Sequence, residues 1–87
     1  MRFISSTRFR RHYRKLPTHL QDRTDERLEL LLRDPFNPLL NNHPLHGVRR
    51  TDRSINVTGD YRVVYRETES SAYLLIDIGT HDDLYGK

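Results

Sequence analysis

The sequence of 87 residues contains no cysteine. Neither a disulfide nor a thiolate metal site can staple it, so its stability must come from a core, alone or with a partner. Apolar residues are also scarce, at 34%. That leans toward the composition of disordered chains. The apolar residues present are nevertheless clustered and periodic, which points to a folded domain with a thin core. No run approaches the roughly 20 apolar residues of a membrane span, and no signal-peptide pattern is visible, so the expectation is a cytoplasmic protein that meets no membrane. Repeats, low-complexity tracts and linkers are missing too, and residues 1–87 are expected to form one small domain.

Acid is missing from the first part of the chain. Residues 1–16 carry Arg2, Arg8, Arg10, Arg11, Arg14 and Lys15 with no aspartate or glutamate. The next stretch is acid-rich, with Asp22, Asp25, Glu26, Glu29 and Asp34, and the chain turns basic again at Arg49, Arg50, Arg53, Arg62 and Arg66. The net charge of +3 hides this division. Arginine offers forked donors that suit phosphate, so the basic surfaces point to nucleic acid, with Arg49 and Arg50 among the residues expected to touch it.

The pattern predicts an α+β fold in the order β-α-α-β-β-β. A short strand at residues 2–4 leads to a helix capped by Ser5, Ser6 or Thr7. Phe9, Tyr13 and Leu16 form its apolar stripe, and Pro17 ends it. Thr18 is expected to cap a second helix, with Leu20, Leu28, Leu31 and Leu32 inward. That helix stops at Asp34-Pro35, because a residue before proline avoids the helical region. Residues 36–47 read as a loop fixed by Leu39, Leu40 and Leu45. Strands are expected at 50–57, 61–67 and 73–78. A three-residue loop at 58–60, with Gly59 at positive φ, sets Val57 against Tyr61 and Ile55 against Val63. That register gathers Ile55, Val57, Tyr61, Val63 and Tyr65 on one face, and Ser54, Asn56, Arg62 and Arg66 on the other. The two helices should pack as a hairpin on a mainly antiparallel sheet.

His81 stands just past the last strand, followed by Tyr85, while His43 and His46 lie in the loop before the sheet. Cleavage of RNA through its own 2′-hydroxyl needs a base, an acid and a cation at the phosphate. Histidine can take either proton role near neutrality. Arg62 suits the phosphate, Asp60 could be a base or hold a histidine tautomer, and Tyr85 could stack on a base. His12 and His19, on helices, read as surface residues. The spacing His43-x-x-His46, with His81, Asp82 and Asp83, raises a metal site, but Pro44 keeps the two histidines off one helical face, and no metal or other cofactor is expected.

These motifs resemble the RelE/ParE superfamily of bacterial toxins, and more sharply its YafQ-like branch. The resemblance rests on Asp34-Pro-Phe-Asn-Pro38, His43-Pro-Leu-His-Gly47, Ser54-Ile-Asn-Val-Thr-Gly-Asp-Tyr-Arg-Val-Val-Tyr65 and Ile78-Gly-Thr-His-Asp-Asp-Leu-Tyr-Gly86, in that order across nearly the whole chain. It implies a ribosome-dependent mRNA interferase, acting without a metal and silenced by a cognate antitoxin protein. His43, Asp60, Arg62 and His81 would be catalytic, with Asp60 or His43 as base and His81 as acid. Asn56, Tyr85, Arg49 and Arg50 would meet substrate. Asn56 departs from the branch, which carries a histidine four residues before the aspartate. Two alternatives share the fold: a ParE-type toxin that inhibits DNA gyrase without cutting RNA, and a catalytically degenerate member that binds its antitoxin.

Overall fold

A computed structural model describes residues 1–47 and 51–86. The elements are β1 (Arg2–Ser5), α1 (Thr7–Arg14), α2 (Thr18–Arg33), a 3-10 turn (Pro38–Leu40), β2 (His43–Pro44), β3 (Arg53–Asn56), β4 (Tyr61–Glu67), β5 (Ala72–Thr80) and α3 (His81–Tyr85). The strands form one sheet in the order β1-β5-β4-β3-β2, parallel between β1 and β5 and antiparallel elsewhere. The α+β fold is thus as expected. It has three elements more than the sequence suggested: the 3-10 turn, the short edge strand β2 and the terminal helix α3. Arg49, Arg50 and the expected strand start at residue 50 lie outside the described residues.

The helical hairpin is built from local chemistry. Ser6 caps α1, its hydroxyl accepting from the Phe9 amide at 3.0 Å. Pro17, rather than Thr18, holds the N-cap position of α2; its carbonyl accepts from the amides of Leu20 and Gln21, and no side chain caps the helix. The Gln21 side-chain amide donates to the Tyr13 carbonyl, and the Tyr13 hydroxyl donates to Asp25. Desolvation, and then the hydrogen bond and charge of Asp25, push the Tyr13 hydroxyl up to about 12.

Phe9, Leu28, Leu30 and Leu31 meet Ile55, Val57, Val63, Tyr65, Tyr73, Leu75 and Ile78 in one buried cluster. Thr24, Leu28 and Leu31 make the inward stripe of α2 at helical spacing. Leu30 flanks that stripe on the sheet side, which leaves Leu32 40% exposed against expectation. In the loop Leu40 is fully buried, while Leu39, also expected inward, is 59% exposed.

β1 pairs with β5 only as far as Leu75, and α1 continues along the edge that is left. The Ser6 amide donates to the Leu75 carbonyl, the Ser6 hydroxyl donates to the Ile76 carbonyl, and His12 Nδ1 lies 2.6 Å from Asp77 Oδ1. His12 is therefore no idle surface residue. It closes an open strand edge by pairing with a nearly buried aspartate.

The β3–β4 register is the expected one, with Ile55 opposite Val63 and Asn56 opposite Arg62. The turn achieves it differently. Gly59 does not adopt a positive φ. Instead the Thr58 hydroxyl accepts from the amides of Asp60 and Tyr61, so a side chain closes the turn where left-handed backbone was expected. α3 begins where a loop was predicted. Thr80 and Asp83 form a capping box, each side chain accepting from the other's amide. Side chains alternate along a strand, so Ser54 faces away from the core side that Ile55 occupies. Because the Tyr85 hydroxyl reaches Ser54, α3 covers the sheet face opposite the hairpin. A side chain at Gly79 would press on Asp83 at 3.2 Å, which explains the glycine beneath this helix.

Candidate functional site

The short β2 strand brings loop and sheet together. Asn42 is the tie. Its amide nitrogen donates to the Pro35 carbonyl and the Tyr65 hydroxyl, and its oxygen accepts from Arg53 Nε at 2.7 Å. With Asn42 held on both sides, its neighbours Asn41 and His43 are fixed. β2 then sets His43 opposite Ser54, so their side chains share a face. Arg62, at the middle of the sheet, pairs with Asn56 on one side and Gly79 on the other. β5 ends at Thr80 and hands His81 to the first position of α3.

These placements enclose a cavity of about 370 Å³ lined by Asn41, His43, Leu45, Ser54, Arg62, His81 and Tyr85. Four of the residues singled out from the sequence, His43, Arg62, His81 and Tyr85, therefore meet at one place. Asp60 does not line it. Asp60 contributes its backbone, whose carbonyl accepts from the His81 amide at 3.1 Å, while the residue itself sits exposed at the rim. Asn56 is also outside the lining. It lies half-buried opposite Arg62, and its Oδ1 is buried with no hydrogen-bond partner among the described residues. Arg49 and Arg50 lie outside the described residues, so the structure does not place them.

Several lining groups are held by specific contacts. His43 Nδ1 lies 2.8 Å from the Asn41 carbonyl oxygen. A carbonyl can only accept, so Nδ1 carries the proton, and the neutral ring keeps its lone pair on Nε2. Asn41 presents that carbonyl from a left-handed conformation (φ 45°, ψ 49°), which asparagine tolerates better than most residues. Arg62 donates through one terminal nitrogen to the carbonyls of Thr58, Gly59 and Tyr61. The turn thus anchors the guanidinium, and no carboxylate among the described residues pairs with it. The His81 ring meets the Tyr85 ring edge-on at 4.7 Å between centroids. The Tyr85 hydroxyl donates to Ser54 Oγ at 2.9 Å.

The arrangement offers an accepting imidazole nitrogen, a second imidazole and a free cationic face around one space. Such a set can move protons at a phosphodiester. Among the described residues no group of three or more histidine, cysteine, aspartate or glutamate side chains is placed to hold a metal ion. No helix among them is long and apolar enough to cross a membrane.

Several contributors, Asn42 among them, escaped the sequence reading. Ser54 had been assigned to the polar face without a role. Asn41 follows a short helical turn, a position where asparagine often takes left-handed backbone. Thr80-x-x-Asp83 is a capping-box spacing, which announces a helix at His81.

Comparison with known proteins agrees with the fold. Residues 1–86 match the family described as bacterial toxin of type II toxin-antitoxin system, YafQ. YafQ from E. coli strain BL21(DE3) superposes with a TM-score of 0.83 at 19% identity, covering 97% of both chains. A YoeB/ParE toxin from Agrobacterium tumefaciens gives 0.80 at 20% identity, over 93% of this chain and 99% of its own. The E. coli DinJ-YafQ complex gives 0.75 at 20% identity, over 97% of both chains. No curated protein matches in sequence.

Proposed function

The chain belongs to the YafQ family of bacterial toxins of type II toxin–antitoxin systems, and from that premise we propose that it is a ribosome-dependent endoribonuclease that cuts mRNA in the cytoplasm. The observation that carries this reading is the meeting of His43, Arg62 and His81 around one cavity.

In the proposed reaction His43 Nε2 takes the proton from a ribose 2′-hydroxyl. The freed oxygen attacks the adjacent phosphorus, and the bond from phosphorus to the 5′-oxygen breaks. Protonated His81 gives its proton to that leaving oxygen. The products are a 2′,3′-cyclic phosphate and a 5′-hydroxyl. Arg62 opposes the negative charge that builds on the phosphoryl oxygens, held in place beforehand by the turn carbonyls. The proton roles and the charge are all supplied by side chains, so the proposal requires no metal or other cofactor. The Asn41 bond favours His43 over Asp60 as base, because it leaves Nε2 able to accept. Tyr85 forms one wall of the cavity, where a base of the message would lie against its ring.

A cognate antitoxin is the proposed protein partner, by analogy with the complexed YafQ of E. coli. Its acidic segments would cover the arginine-rich surfaces.

The test is expression of wild type and His81→Ala, with growth and message 5′ ends followed together. The proposal expects growth arrest with new internal 5′ ends from wild type and neither from the variant. Arrest without new ends would point to a target such as gyrase. A variant as toxic as wild type would remove His81 from the site.

A further inference from the structure

Ser54 is fully buried, yet it lines the cavity together with the two histidines. Across the sheet its partner on β2 is His43. Above it, its Oγ accepts from the Tyr85 hydroxyl at 2.9 Å. Tyr85 in turn sets its ring 4.7 Å from that of His81, tilted by 67°. One small side chain is thus linked to both halves of the site. It is the strand neighbour of the histidine on β2, and it anchors the aromatic ring against which the histidine on α3 rests.

α3 has only five residues, too short to hold itself in water. Its order must come from attachments to the rest of the chain. At its start these are the Thr80–Asp83 capping box and the His81 amide bond to the Asp60 carbonyl. Along it Leu84 is buried. At its end the Tyr85 hydroxyl donates to Ser54 Oγ. The first attachments fix the backbone of His81, but the direction of its exposed ring depends on what the ring leans against, which is Tyr85.

We propose that Ser54 is a positioning residue, whose hydroxyl holds Tyr85 so that the Tyr85 ring orients His81 toward His43 and Arg62. A hydroxyl on a small residue is what this place requires. Serine supplies the acceptor with a minimal side chain, whereas a larger one would take up part of the cavity it lines.

The catalytic part of this inference rests on the nuclease reading, so its first test is independent of activity. The histidine ring protons are observed by NMR in wild type, Ser54→Ala and Tyr85→Phe. Both variants keep the shape of the residue and remove one end of the bond. In wild type the Tyr85 ring current displaces the His81 signals. In both variants those signals should move toward the positions of a free histidine, while those of exposed His19 stay. His81 signals unchanged in both folded variants would overturn the proposal.

The second test is single-turnover cleavage of message on programmed ribosomes. Each variant should slow the cleavage step by roughly tenfold, the scale of one buried hydrogen bond, with half-saturation by ribosomes unchanged. The double variant should be no slower than either alone, because both remove the same bond. Additive losses, or a change confined to binding, would overturn it. If wild type cuts no message, the nuclease reading fails, and the NMR result still decides whether Ser54 orients His81.

Discussion

Asn41 offers the sharpest test of how the base is prepared. Its φ of 45° and ψ of 49° turn its carbonyl toward His43 Nδ1 at 2.8 Å. Asn41→Val introduces a β-branched residue, for which left-handed backbone costs about 1–2 kcal/mol. The net value of the hydrogen bond is about 1 kcal/mol. The strain therefore equals or exceeds what the bond returns, and the peptide should rotate and release His43. Nε2 is then no longer held as the accepting nitrogen. Loss of that bond, about 1 kcal/mol of positioning, corresponds to a roughly fivefold slower cleavage step. Asn41→Gly, which adopts this backbone freely, should stay within about threefold of wild type. The assay is single-turnover cleavage on programmed ribosomes across pH, with circular dichroism to establish that each variant folds. A folded Asn41→Val that cleaves at the wild-type rate would refute the argument that the Asn41 carbonyl prepares His43.

Other perturbations probe separate parts of the molecule. Arg62→Lys keeps the charge but loses the fork, and should slow cleavage by about 10²–10³-fold in the same assay while leaving ribosome binding intact. Asp77→Ala removes the acceptor of both His12 and the buried Ile78 amide, and should lower stability by about 2 kcal/mol, read as a lower urea midpoint. Burial raises Tyr65 and Tyr73, with other groups acting on each to a lesser degree, and Tyr13 is pushed up to about 12. These hydroxyls hold protons in the folded state that the unfolded chain releases near pH 10. Their contribution is complete below that pH and is lost as pH rises through the folded values, so the urea midpoint should fall as pH rises from about 10 to about 12, the tyrosine reference and the Tyr13 value.

Where side-chain periodicity decides structure, the sequence was informative. Alternation along β3 and β4 fixed the register, because a one-residue slip would have moved Ile55 and Val63 off the core face. The stripe of Phe9 and Tyr13 placed α1 for the same reason, although the helix ends at Arg14 and Leu16 packs on the core just beyond it. Expectations failed where single side chains bond to backbone. Nothing periodic distinguishes Thr58 from Gly59 as the residue that closes the turn. Leu30 and Leu32 flank the α2 stripe symmetrically, and only the position of the sheet chooses between them. At the site, His43, Arg62, His81 and Tyr85 were nameable because their chemistry is distinctive. Asn41, Asn42 and Ser54 were not, because their roles depend on contacts 2 to 31 residues away in sequence. Asp60 shows the reverse error: a titratable side chain drew attention, while its carbonyl is the group that bonds to the His81 amide.

The central claim is that the ribose 2′-hydroxyl is the nucleophile and that His43 and His81 move its protons. It is tested most directly by a message carrying a single 2′-deoxynucleotide immediately 5′ of the cut, loaded on ribosomes with wild-type protein. The account predicts that the all-ribose message is cut to a 2′,3′-cyclic phosphate and a 5′-hydroxyl, and that the deoxy-substituted message survives. Cleavage of both messages at equal rates would contradict it.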